Sequence, residues 1–295
     1  MLRFSWLAAL LFICAGLSGC TETIVEAEES PEMTPKAEEP SFNKAEIPWR
    51  VFHDEAPVRS GPTQDAGVVR TVTRGDHVFG MEMEVHPETN EEWLLLDAEK
   101  HGEEGLYISR STVHRVHPSN EVDGNLPFGE ERVDRWWGLP LDYEPSDLIS
   151  LPAQYTRGGR EQQLRREAAE ALMEMLDEAR EEGIDIRVTS SYRSGPRQRD
   201  IYLRNIGRRG PGQRSSAPPG HSEHQLGTTV DLTDPEGQHT FSRTFDETPY
   251  GAWLEENAER FGFIRSYYPH NVEETGYISE PWHWRYHGRP EAGEK

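Results

Sequence analysis

Two short stretches hold the residues whose types and spacing could do chemistry. PGHSEHQLGTTVDL, residues 219–232, places His224 and Asp231 seven positions apart. SEPWHWRY, residues 279–286, places Glu280 and His283 three apart. Two imidazoles and a carboxylate form a mixed nitrogen and oxygen donor set that suits one zinc ion per chain, with a fourth position left open. Such an ion lowers the pKa of a water to ~7, and the remaining carboxylate, Glu280, suits a general base for that water. Pro281 favours extended backbone at Glu280 and holds the pair on a bend. A His–Asp pair alone is more often a structural hydrogen bond; the second stretch makes it a candidate ligand set. His221, His239, His270 and His287 lack comparable partners and are assigned to loop, surface or core. Glu223 is assigned to the structure of its loop and not to a second base.

The elements that must position these residues lie between 133 and 290. Residues 133–152, with Pro140, Pro145 and Pro152, read as an extended wrap around the rest of this domain. From Gly159 to Glu182, Leu164, Ala168, Ala171, Leu172, Met175, Leu176 and Ala179 fall on one face at helical period, and Gly183 is placed as a C-cap. Residues 184–188 alternate as a strand and deliver SSYRSGPRQ, residues 190–198. A second helix is expected from Pro196 to Ile206, then a Gly/Pro-rich loop over 208–220. Val230 and its neighbours read as the strand carrying Asp231. Trp253, Leu254, Ala258 and Phe261 mark another helix, and Phe263–Ile264 and Trp282–Tyr286 the last strands, with Trp282 and Trp284 on opposite faces. The order implies an α+β domain with a small antiparallel sheet and flanking helices, then a tail at 291–295.

Upstream, residues 46–116 show short apolar runs at Trp49–Phe52, Val68–Val72, His77–Phe79, Trp93–Leu96 and Leu106–Ile108, punctuated by Gly and Pro. No helical period runs through them, so a small all-β barrel is expected. Residues 117–132 read as a polar linker. Residues 20–45 are rich in Glu and Pro and cannot bury enough surface to fold; they make a tether spanning roughly 25–30 Å. Residues 1–19 have a basic start and an apolar run to Leu17, which reads as a secretory signal. Once that segment is removed with Cys14, Cys20 is the sole cysteine, so no disulfide forms within one chain. The net charge of −22, from 53 acidic against 31 basic residues, argues against nucleic acid as a partner and against unaided binding to an anionic membrane.

Three resemblances sharpen this reading. LSGC, residues 17–20, resembles a bacterial lipobox, which implies cleavage before Cys20, acylation of that residue and a membrane-anchored location facing outside the cytoplasm. Thr21 in the next position implies the outer membrane if the source has two. The string APVRSGPTQDAGVVRTVTRGDHV with EWLLL and EGLYISRSTVHRV resembles a bacterial SH3-like domain, a family of wall-binding and spacer modules. Residues 133–289 resemble the zinc D-alanyl-D-alanine carboxypeptidase family, in the branch of the vancomycin-resistance carboxypeptidases. Four ordered blocks carry this likeness: LPAQYTRGGREQQLRREAAEAL, SSYRSGPRQ, PGHSEHQLGTTVDL and EPWHWRYHG.

This last resemblance implies that His224, Asp231 and His283 hold zinc and that Glu280 is the base. It implies that Arg193 stabilises the oxyanion and that Gln198 and Ser222 contact substrate. The implied reaction releases the C-terminal D-alanine from peptidoglycan stem peptides. An L,D-carboxypeptidase or an endopeptidase on the same peptides shares these motifs, and a non-catalytic wall-binding lipoprotein is the third reading. Two departures from the family stand out: Gly195-Pro196, where an aromatic residue is common, and Thr228-Thr229, where small apolar residues are commoner.

Overall fold

The computed structural model describes residues 46–290. The expected signal segment, the tether with Cys20 and the tail lie outside the described residues. The described residues belong to one compact unit.

Its first half is built from short strands: β1 (Trp49–Val51), β2 (Glu55–Arg59), β3 (Val68–Thr73), β4 (His77–Val78), β5 (Gly80–Val85), β6 (Glu92–Leu96), a one-turn helix α1 (Ala98–His101), β7 (Tyr107–Ser109) and β8 (Val113–His114). They form two antiparallel sheets, ordered β4-β1-β8 and β3-β2-β7-β6-β5, around Trp49, Val51, Ala56, Val58, Leu94 and Ile108. The apolar runs of the sequence mark five of these strands and miss β2, β5 and β8. In β2 the signal is broken by Pro57. That residue lies opposite Thr71 of β3, before β7 joins at Val58 and Arg59, so at Pro57 the strand is an edge, where a residue without an N–H is tolerated.

Residues 117–132 do not span solvent as a linker would. Asn120 is buried, and its Nδ2 donates to Arg132 O at 2.8 Å and Gly138 O at 2.9 Å. Leu126 is buried in a cluster with Leu139, Tyr143 and Leu226.

The second half contains β9 (Leu148–Ser150), β10 (Gln163–Arg165), α2 (Arg166–Glu181), β11 (Arg187–Ser190), α3 (Gly195–Arg209), β12 (Thr229–Thr233), α4 (Pro249–Asn257), β13 (Phe263–Arg265), a short α5 (Val272–Thr275) and β14 (His283–Tyr286). The central sheet is antiparallel, ordered β11-β12-β14-β13. One face is sealed by the apolar side of α2, whose Ala168, Leu172, Met175 and Leu176 pack in one core with Val230, Leu232, Phe263 and Tyr286. The expected helix start at Gly159 is corrected to Arg166. Residues 157–159 form a 3₁₀ turn, and Leu164 belongs to β10, paired with Ile149 of β9. Leu164 lies in the same core as α2, which explains why its place in the apolar pattern reads as helix.

The two halves meet through buried charge. Arg135 binds Glu92 of β6 through Nη2 at 2.7 Å and Nε at 3.1 and 3.2 Å. Arg110 is fully buried, donates to the Val113 and Arg135 carbonyls, and lies 3.4 Å from His221 Nε2. His221 also accepts from the Arg115 N–H and hydrogen-bonds the Asp134 carbonyl. It is thus a core residue of the junction between the halves.

Candidate metal centre and its cavity

The sheet register sets the site. Asp231 of β12 stands directly opposite His283 of β14 and, on its other side, opposite Ser190 of β11. Opposed residues in antiparallel strands project to the same face, so Asp231 and His283 meet there. His224 comes from the 3₁₀ turn Glu223–Leu226, just before β12. One donor atom from each of the three lies within 4.8 Å of the others, and all three residues are buried.

The hydrogen bonds decide which nitrogen faces inward. His224 Nδ1 lies 2.7 Å from the Ser191 carbonyl and so carries its proton, leaving Nε2 free, 3.2 Å from Asp231 Oδ2. His283 Nε2 lies 2.9 Å from Glu223 Oε2, leaving Nδ1 facing Asp231 Oδ1 at 3.1 Å. Each imidazole therefore aims one nitrogen at the Asp231 carboxylate and is held from behind by the other, the arrangement typical of metal-ligating histidines. Glu223 is fixed in turn by Arg285 Nη1 at 2.9 Å, and Arg285 Nη2 donates to Glu131 Oε2 at 2.6 Å.

The electrostatics match a cation site. Burial disfavours charge on Asp231, but His224 and His283 outweigh it and hold the carboxyl below its usual range. Burial and the charge of Arg193 push His224 down to about 4, so it is neutral and able to ligate. His283 is raised to about 10: burial opposes its charge, but hydrogen bonds to Asp231 and Glu223 prevail. A proton on His283 supplies the positive charge that two buried carboxylates demand, a demand a divalent cation also meets. The donor set, its burial and its orientation fit such an ion.

The remaining expected residues fall into place around this centre, with one exception. Glu280 lies after β13 in a bend: its N–H donates to Tyr267 O, and its carbonyl accepts from the His283 N–H, both at 3.1 Å. Its Oε2 is 3.7 Å from His283 Nδ1. Burial is the main cause that raises its pKa to about 7, and the charge of Asp231 adds to it. Arg193 is tied by its N–H to the His224 carbonyl at 3.1 Å, and its buried Nε has no hydrogen-bond partner among the described residues. Ser222 shares the cavity wall with these groups. Gln198 does not reach it: the side chain is fully buried on α3, and its Nε2 donates to Ala217 O at 2.7 Å, behind the wall formed by residues 214–217. The absent aromatic at 195 also has a physical reason, because a side chain on Gly195 would collide with the Leu141 carbonyl.

The three candidate ligands, Glu280, Arg193 and Ser222 open into one cavity of about 580 Å³. Its other walls are Tyr267, Tyr277, Ile278, Phe241 and Trp282, with Arg209, Arg214 and Arg243 beyond them. Sequence reasoning passed over Glu223 as an orienting group and the three arginines of the wall. The first depends on partners about sixty residues away, and the second on the end of α3 and two separate loops meeting at one cavity.

Comparison with known proteins concerns this same part of the chain. Residues 161–289 match the profile of the family described as VanY: D-alanyl-D-alanine carboxypeptidase. The chain is 37% identical over 165 residues to YodJ of Bacillus subtilis, covering 54% of this chain and 60% of that protein. It is 38% identical over 128 residues to a D-alanyl-D-alanine carboxypeptidase of Enterococcus faecalis, covering 40% of this chain and 46% of that one. The chain thus spans about half the length of these curated relatives. Among solved structures, the LdcB LD-carboxypeptidase is 35% identical, covering 53% of this chain and 75% of that chain at a TM-score of 0.49. The segment that carries the three candidate ligands, Glu280 and Arg193 is therefore similar to the VanY family of D-alanyl-D-alanine carboxypeptidases.

Proposed function

We propose that this protein is a zinc-dependent carboxypeptidase that removes the C-terminal D-alanine from peptidoglycan stem peptides. The observation that carries this reading is the convergence of His224, Asp231 and His283 with Glu280 and Arg193 on one cavity. The family match of residues 161–289 supports it. His224 Nε2, the Asp231 carboxylate and His283 Nδ1 would hold the zinc, which would supply Lewis acidity and acidify a water when bound. The Glu280 carboxylate is the group that would accept a proton from the water whose oxygen attacks the amide carbonyl. It then passes the proton to the leaving nitrogen, so that the C–N bond breaks to a carboxylate and a free amine. The Arg193 guanidinium faces the charge that develops on the carbonyl oxygen, a contribution of ~3–4 kcal/mol in comparable sites. Ser222, on the cavity wall, would hydrogen-bond the peptide.

In the same reading Cys20 is the acylated residue of an envelope lipoprotein, and residues 46–116 are an SH3-like module. The test is to incubate the zinc-loaded chain with purified pentapeptide and tetrapeptide muropeptides and to identify products by mass. Loss of one D-alanine from the pentapeptide is expected. Cleavage of the tetrapeptide alone would replace the reading with an L,D-carboxypeptidase, and no product from either would end it. Cys20→Ala should move the chain from the membrane to the soluble fraction; unchanged membrane attachment would remove Cys20 from its role.

A further inference from the structure

The sign of the cavity is opposite to that of the chain. Acidic residues outnumber basic ones by 53 to 31. Yet apart from the candidate ligand Asp231 and the base Glu280, no residue lining the cavity is acidic, whereas four arginines line it. Arg193 lies deep, beside the centre. The other three enter from two different walls: Arg209 is the last residue of α3, Arg214 lies in the loop beyond it, and Arg243 lies in the loop after β12. Arg209 and Arg243 are exposed and form no ion pair among the described residues. Arg214 makes one long contact, 3.4 Å from Glu92, a carboxylate that Arg135 already holds. These guanidiniums are accessible to a ligand.

The wall beside Arg243 is also unusual. Phe241 has φ +56°, a left-handed conformation that side chains without a local hydrogen bond rarely adopt. The residue is 53% exposed, and its ring stands edge-on to Trp282 at 5.8 Å. Strain of this kind persists where the surrounding structure enforces it, and here it presents an aromatic face at the cavity.

We propose that Arg209, Arg214 and Arg243 read free carboxylates on a peptide, so that stem peptides with their side-chain acid groups intact are preferred over amidated ones. This rests on the cavity being a peptidase site. The physical need is plain: a chain of charge −22 repels an anionic peptide at long range, and only a local cationic rim reverses that at the entrance. Guanidinium is also the group that pairs with carboxylate through two parallel hydrogen bonds.

The test uses the full zinc-loaded chain and two pentapeptide muropeptides of the same sequence, one with free side-chain carboxylates and one amidated. At low salt, kcat/KM should favour the free acid by ~10-fold, for two or three partly exposed charge pairs. Raising the salt to ~0.5 M should shrink that ratio. Arg209→Gln and Arg243→Gln should each lower it through KM. Equal cleavage of the two peptides, or a ratio indifferent to salt and to both substitutions, overturns the proposal while leaving the carboxypeptidase reading intact. If neither peptide is cut, that reading fails, and calorimetric binding of the same two peptides still decides the rim. Tighter binding of the free acid supports it, and equal binding ends it.

Discussion

At His224 and His283 both ring nitrogens have a task. One faces Asp231, and the other is bound from behind, by the Ser191 carbonyl in one case and by Glu223 in the other. The Glu131–Arg285–Glu223 chain behind His283 is buried throughout, so it fixes the ring without competing water. Glu223→Gln keeps the shape and removes the charge. Chelator competition should then show zinc affinity reduced ~10–100-fold, whereas an unchanged affinity would mean Glu223 is only packing. Glu280→Gln should retain zinc and lose ~10²–10⁴-fold in kcat. Its pH dependence can be signed. A base works only when deprotonated, so kcat/KM falls as pH drops through the pKa of Glu280. Burial raises that pKa from 4.5 to about 7, and a bound cation pulls it back down. The acid limb of the wild-type profile should therefore lie between 4.5 and 7 and disappear in the variant. A limb above that range would contradict the assignment.

The convergence of His224, Asp231 and His283 with Glu280 was legible in the sequence because each stretch carries its own chemistry within a few residues. Glu223 was not, because its neighbours in sequence say nothing of Arg285 or His283. Gln198 shows the opposite failure: a family position is matched, yet here the side chain supports the wall from behind.

At the scale of elements, the site depends on the pairing of β12 with β14. A slip of one residue would turn Asp231 to the opposite face of the sheet and dismantle the triad. That register is pinned by the core side of the same strands, where Val230 and Leu232 pack against α2. The long amphipathic run identified α2 well, but its start was misplaced, because periodicity cannot distinguish a buried strand residue such as Leu164 from one more helical turn. Short strands that contain Pro57 or alternate acidic residues were missed for lack of an apolar run. The threonines at 228 and 229 are fully buried, and their hydroxyls have no hydrogen-bond partner among the described residues. Thr229→Val removes such a hydroxyl at nearly constant shape. It should raise unfolding stability by up to ~1 kcal/mol in urea titration, and a clear loss would show that the hydroxyl is satisfied after all.

The whole molecule joins its halves through charges that solvent does not reach. Arg135 and Glu92 are almost wholly buried, so removing one partner strands the other. Glu92→Gln should cost ~3–5 kcal/mol, and a matched apolar pair at both positions should recover most of it. Unfolding of the wild type should be a single transition. Two separate transitions, or a cost below ~1 kcal/mol, would mean that the halves are only loosely docked.

The same junction reaches the cavity. Gly212, in the loop that carries Arg214, lies so close to the Asn90 carbonyl that no side chain fits between them. Trp49, in the first described strand, stacks against Arg110 and Arg115 at 4.8 and 5.2 Å, and those residues contact His221 just before the turn that carries His224. This has a consequence for how such a protein changes over generations. A module joined by a flexible hinge can be exchanged for another by recombination without harm to its neighbour. Here an exchange at residue 117 would leave Arg135 with its charge buried and uncompensated, and would take Asn90 and Glu92 from behind the loop that carries Arg214. A change on one side of the junction must therefore be answered by a matching change on the other.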